Sequence, residues 1–139
     1  MTKRTGEDTP LRVFVLDSEA LSLAVRGDRA MIARLELAAG GAAEVVTSPM
    51  TLIEAYDART TERRWDWVLS RVRVADIGRE EAREARRLLA RAGLHGHRHA
   101  IDAVLAVVAS RQPGQVTVFT SDVDDLERLV PDRIVVFKV

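Results

Sequence analysis

Two kinds of hydrophobic run alternate along the chain. Short β-branched runs alternate with longer stretches in which apolar residues recur at helical spacing. Residues 11–17, Leu-Arg-Val-Phe-Val-Leu-Asp, form the first short run. It is almost continuously apolar and stops on a carboxylate, which predicts a central strand of a parallel sheet, buried on both faces. Further strands are predicted over 43–47, 72–77 (at a sheet edge), 116–120 and 134–137. Ser18 caps a helix carrying Ala20, Leu21, Leu23, Ala24 and Val25, and Gly27-Asp28 breaks it. A second helix spans 29–39 and ends at Gly40-Gly41. Ser48-Pro49, a capping residue followed by proline, starts a helix that contains Leu52, Ile53 and Glu54. More helices are predicted over 61–69, 79–92, 97–111 and 122–129, stopped in turn by Gly93, Pro113-Gly114 and Pro131. Strands alternating with helices across short connections predict an α/β fold with a parallel sheet. Residues 1–10, with Gly6 and Pro10, read as a flexible lead-in, and 11–139 as a single domain.

Composition narrows the chemistry. The chain has no cysteine, which excludes disulfides, thiolate metal sites and cysteine nucleophiles. The longest apolar stretch, 103–109, is too short to span a bilayer, so a soluble cytoplasmic protein is expected, with no membrane partner. Net charge is zero, but residues 59–98 hold eleven Arg against six acids. That segment reads either as solvated helix faces with paired charges or as a surface for a polyanion.

Four acids sit where structure alone does not call for them. Asp17 ends the first strand, and Asp122 follows the 116–120 strand in the same way. If these strands are neighbours where the strand order reverses, both carboxylates reach one crevice. Glu54 lies in the second turn after Ser48-Pro49. Asp102 interrupts Ala100-Ile-Asp-Ala-Val-Leu-Ala-Val-Val-Ala109, a helix apolar nearly all round. Each has a plain structural explanation: a cap for Asp17, a helix N-terminal acid for Asp122, surface for Glu54, an Arg partner for Asp102. Together they predict an acid pocket. Two unit charges 4 Å apart repel by about 4 kcal/mol at an effective dielectric of 20, and a divalent cation removes that cost. All-oxygen ligands favour Mg²⁺ or Mn²⁺, and such a pocket suits hydrolysis of a phosphate ester.

Val-Leu-Asp17-Ser, Thr51-Leu-Ile-Glu54, His99-Ala-Ile-Asp102-Ala and Phe119-Thr-Ser-Asp122, followed by Asp124-Asp125-Leu126, resemble the PIN domain. Within that family they resemble the VapC-type toxins of bacterial type II toxin–antitoxin pairs. The resemblance covers about residues 11–139. It implies a PIN-like three-layer sandwich whose five-stranded parallel sheet runs 3-2-1-4-5. It also implies a Mg²⁺- or Mn²⁺-dependent endoribonuclease leaving a 5′-phosphate and a 3′-hydroxyl. Asp17, Glu54, Asp102 and Asp122 match the acidic quartet that holds the metal, with Asp124 a weaker match. Thr120 and Ser121 match hydroxyl residues that hydrogen-bond a ligating carboxylate. The implied partners are RNA, a cognate antitoxin and a second copy of the chain.

The alternatives are a non-toxic PIN nuclease of RNA processing and a non-catalytic module that binds metal or RNA. A phosphoacceptor receiver domain would need a lysine after a late strand, and the only late one, Lys138, falls within the final strand. His95 and His99 have the i,i+4 spacing of a metal pair, but Gly96 between them favours surface or capping roles for His95, His97 and His99. Trp65 and Trp67, two residues apart, face different sides of one helix, so one belongs to the core.

Overall fold

A computed structural model describes residues 11–139; the lead-in expected over 1–10 lies outside the described residues. Five parallel strands form one sheet: β1 (Arg12–Leu16), β2 (Glu44–Thr47), β3 (Arg73–Val74), β4 (Gln115–Thr120) and β5 (Val135–Lys138). Their order is β3-β2-β1-β4-β5, so β1 and β4 are neighbours at the centre, as the implied fold requires. The helices are α1 (Ser18–Arg26), α2 (Arg29–Ala39), α3 (Pro49–Glu54), α4 (Glu62–Leu69), α5 (Arg79–Ala92), α6 (Gly96–Ser110) and α7 (Val123–Leu129).

Alternation along β1 divides the interior into two cores. Val13 and Val15 pack with Leu88 and Leu89 of α5, Leu105 of α6 and Leu126 of α7. Phe14 and Leu16 face the other way, onto Leu21 of α1, Met31 and Leu35 of α2, and Trp65 and Val68 of α4. The result is three layers, helices on both faces of a sheet whose central strand is buried twice over. Full burial of each such side chain contributes about 1.5–3 kcal/mol. That is enough to hold β1 in place while the next residue, Asp17, carries a buried carboxylate.

The register of the central pair runs from Arg12 opposite Gln115 to Leu16 opposite Phe119. It is set partly at the far end of the sheet, where Gly114 has φ +78°. A Cβ there would lie 2.1 Å from the carbonyl oxygen of Leu11, which accepts the Gln115 N–H at 2.7 Å. Only glycine lets the two chains approach so closely.

The edge strand predicted over 72–77 shrinks to the two residues of β3, with one further backbone bond from Ala75 to Thr47. Ala75 and Ile77 leave the sheet to pack onto the core under α5 and α6, a better burial than an edge offers. Trp65 is buried and donates its indole N–H to Thr60, whereas half-buried Trp67 lies under the Arg71 guanidinium. Arg111 bridges from α6 to Glu81 and Glu84 of α5, and Arg83 pairs with Glu80, so part of the Arg-rich segment consists of paired helix faces. No helix among the described residues is long and apolar enough to cross a membrane.

Candidate active site

The carboxyl ends of the central strands open into a cleft of about 330 Å³ lined by Asp17, Glu54, Asp102 and Asp122, with exposed His97 and Arg98 on its wall. A larger groove of about 480 Å³ lies beside Glu84, Arg87 and Arg91, but it gathers no comparable set of acids. Chemistry rather than size selects the smaller cleft.

Asp17 leaves β1 and caps α1. Its Oδ1 accepts the Ala20 N–H at 2.8 Å, and its Oδ2 accepts the Ser121 N–H at 3.0 Å. Its own N–H donates to the Phe119 carbonyl at 3.1 Å. One buried side chain thus joins the end of β1, the start of α1 and the end of β4. The capping role and the cleft position hold together.

Glu54 is the exposed last residue of α3, and a buried hydroxyl cluster aims that helix. Thr47 donates to the Leu16 carbonyl at 2.7 Å, and the hydroxyls of Thr47 and Thr51 lie 2.6 Å apart. Ser48 accepts the Thr51 N–H at 3.2 Å, and the Thr51 hydroxyl returns to the Ser48 N–H, a capping box. The ends of β1 and β2 and the start of α3 are therefore tied together by buried hydrogen bonds.

Asp102 is half-buried in the second turn of α6. Burial, then the charges of Asp122, Asp125, Glu54 and Asp17, push its pKa up to about 7. Asp122 stands at the N-cap of α7, and its N–H donates to the Thr120 hydroxyl at 2.9 Å. Desolvation and a hydrogen bond to Asp125 raise its pKa too, with His99 acting the other way. Among the described residues neither hydroxyl bonds a carboxylate as the resemblance implied: the Thr120 hydroxyl accepts the Asp122 N–H, and Ser121 reaches the Asp17 carboxylate with its backbone N–H instead.

Asp124 is exposed and is not on the cleft wall; Asp125 is the acid that crowds Asp102. His99 Nδ1 lies 3.3 Å from Asp125 Oδ2, and both side chains are largely covered. Among the described residues, His99, Asp102 and Asp125 are the one group of three metal-ligating side chains whose donor atoms all lie within 4.8 Å of one another. The three histidines therefore separate: His95 is the N-cap residue of α6, His97 faces the cleft, and His99 turns to Asp125. The sequence reading missed His99, Asp125 and Arg98. Helical spacing held the signal, because His99 and Arg98 lie three and four residues before Asp102, and Asp125 three after Asp122.

Comparison with known proteins agrees with this architecture. No curated protein gave a match. Among solved structures, a chain in the crystal structure of VapBC2 from Rickettsia felis, bound to a DNA fragment from their promoter, aligns with a TM-score of 0.65. The alignment covers 91% of this chain and 98% of that one at 16% identity, a likeness of fold. The PIN domain profile matches residues 14–130, from the middle of β1 to the end of α7. That match includes Asp17, Glu54, Asp102 and Asp122, and the chain belongs to the PIN domain family.

Proposed function

We propose that this PIN domain is an endoribonuclease that uses Mg²⁺ or Mn²⁺ to hydrolyse RNA phosphodiester bonds, and that it is the toxin of a toxin–antitoxin pair. The observation that carries the reading is the crowding of acids on Asp102, whose pKa is pushed up to about 7. Carboxylates from β1, α3, α6 and the α7 cap are directed into one cleft by buried scaffolding, against their mutual repulsion. A hard divalent cation relieves that repulsion, and the oxygen donors fit one. Such an ion supplies Lewis acidity and an activated water for displacement at phosphorus.

The chain's own groups do the rest. Asp17 is oriented by two backbone N–H donors before any ligand arrives. Asp102, its pKa pushed up to about 7, would have to give up its proton to hold an ion, so its oxygens would be free for one only toward neutral pH and above. Glu54, exposed at the end of α3, closes the cleft from the β2 side. Arg98 and His97 offer donors to the RNA phosphates. No Ser or His nucleophile is required.

The toxin role draws on the fold shared with a VapBC2 chain. A cognate antitoxin covering the cleft, a homodimer and a cytoplasmic setting follow from that role. The test is cleavage of a mixed RNA pool by the purified chain with Mg²⁺, with EDTA, and as Asp17→Asn. Cutting that needs both the metal and Asp17 supports the nuclease. Equal cutting in all three arms marks a contaminant and removes the support. Mg²⁺ binding without any cutting moves the reading to a metal-binding module.

A further inference from the structure

We propose that His99, Asp102 and Asp125 form a nitrogen-containing cation site that shares Asp102 with the four-carboxylate cleft and takes Mn²⁺ in preference to Mg²⁺. The inference deepens the nuclease reading and rests on it, since it names the ion that the cleft selects.

The geometry comes first. Two ligands at right angles, each about 2.1 Å from an ion, lie roughly 3 Å apart, and two opposed ligands roughly 4.2 Å apart. The His99–Asp125 separation of 3.3 Å is close to the first value. The donor atoms of the whole group all lie within 4.8 Å of one another, so small side-chain rotations bring them within the reach of one ion. The donors come from two helices, which fixes their relative positions. His99 and Asp102 are three residues apart on one face of α6, and Asp125 projects from α7.

Charge points the same way. Among the described residues, His99 is the only basic group within ion-pair distance of either acid. A neutral imidazole leaves two covered carboxylates without compensation, and a protonated one offsets only one of them. A divalent ion offsets both. The imidazole then sets the choice of ion: Mg²⁺ is a hard ion that favours oxygen and keeps its waters, whereas first-row transition ions accept imidazole. The rival account is an ordinary His–Asp hydrogen bond with no ion, and it predicts no nitrogen on the metal.

The experiment is pulsed electron paramagnetic resonance of Mn²⁺ added to the full chain, read for modulation by a directly bound nitrogen. The expected result is nitrogen modulation in the parent protein that disappears in His99→Gln and persists in His95→Gln and His97→Gln. The preference for Mn²⁺ over Mg²⁺ in direct binding should fall at least about tenfold in His99→Gln. Asp125→Asn gives a second reading if His99→Gln does not fold, with the same loss of Mn²⁺ preference. Bound Mn²⁺ with no nitrogen signal, a signal that survives His99→Gln, or no Mn²⁺ bound at millimolar concentration overturns the proposal. Mg²⁺-dependent RNA cleavage without the nitrogen signal sinks this inference and leaves the nuclease standing. The signal in a chain that cuts no RNA does the reverse.

Discussion

The β1–α1 junction and the second turn of α6 each deliver an aspartate to the same cleft, by opposite means. Both oxygens of Asp17 accept backbone N–H groups, one from α1 and one from the end of β4. Among the described residues the Asp102 carboxyl accepts no hydrogen bond, and burial and neighbouring acids push its pKa up. The first acid helps to hold the fold together. The second, pressed by burial and by like charges, works against the fold when it is ionised. A single cleft thus combines a carboxylate fixed in advance by backbone N–H groups with one crowded by other acids, and the two should respond differently to the same chemical change.

The largest contrast lies in activity. Asp17→Asn and Asp102→Asn should each lower Mg²⁺-dependent RNA cleavage by a factor of 100 or more, about 2.7 kcal/mol of barrier. Single-turnover assays would check this, and near-parental cleavage by either variant would remove that residue from the site. The same two variants should then part company in metal-free stability. Asp17→Asn turns an amide N–H toward Ala20 or Ser121 and loses one buried acceptor, which costs about 1–3 kcal/mol. Asp102→Asn removes an unsettled charge and should raise the melting temperature at pH 8. If both variants move in one direction, the contrast between the two acids fails.

The pH response of the parent sharpens the same point. Asp102 titrates near 3.8 in the unfolded chain and near 7 in the folded one. Between those values the folded state holds more protons, so each rise in pH favours unfolding. Metal-free protein should therefore lose stability as pH rises from about 4 to about 7, and Mn²⁺ or Mg²⁺ should flatten that loss. Thermal melts at pH 5, 6, 7 and 8, with and without ion, would read it. A flat metal-free profile would contradict the raised Asp102 value. The smallest effect is expected at Thr120, where Thr120→Val removes the acceptor for the Asp122 amide and should cost about 1 kcal/mol. Its loss of activity should exceed its loss of stability, because the amide it frees belongs to a cleft acid.

Much of the cleft was legible because its acids sit at places where sequence punctuates structure. Asp17 and Asp122 follow β-branched strands, and Ser48-Pro49 announces α3 and hence Glu54. Asp102 stood out as one charge on an apolar helix, and the strand order implied by the PIN-domain resemblance, which the structure shows, sets β1 beside β4. What was not legible depends on packing between elements. Asp124 and Asp125 are neighbours in sequence, and only the docking of α7 on α6 decides that Asp125 faces Asp102. His99 already lay three residues before Asp102 in the helix predicted over 97–111, but only the docking of α7, which brings Asp125 to 3.3 Å from it, separates it from His95 and His97. The length of β3 followed from where Ala75 and Ile77 find better burial, a competition that local propensity does not encode.

Gly114 carries a consequence for anyone searching this chain by random mutagenesis. It lies at the opposite end of the sheet from the acids, yet any side chain there collides with the Leu11 carbonyl. One relief is to slide β1 along β4, and a slip of one residue shifts a strand by about 3.3 Å and reverses its inside and outside. Variants selected for lost function would therefore include changes at codon 114, at the far end of the sheet from the cleft acids. A map of such variants would outline the alignment of two strands as clearly as it outlines the cleft.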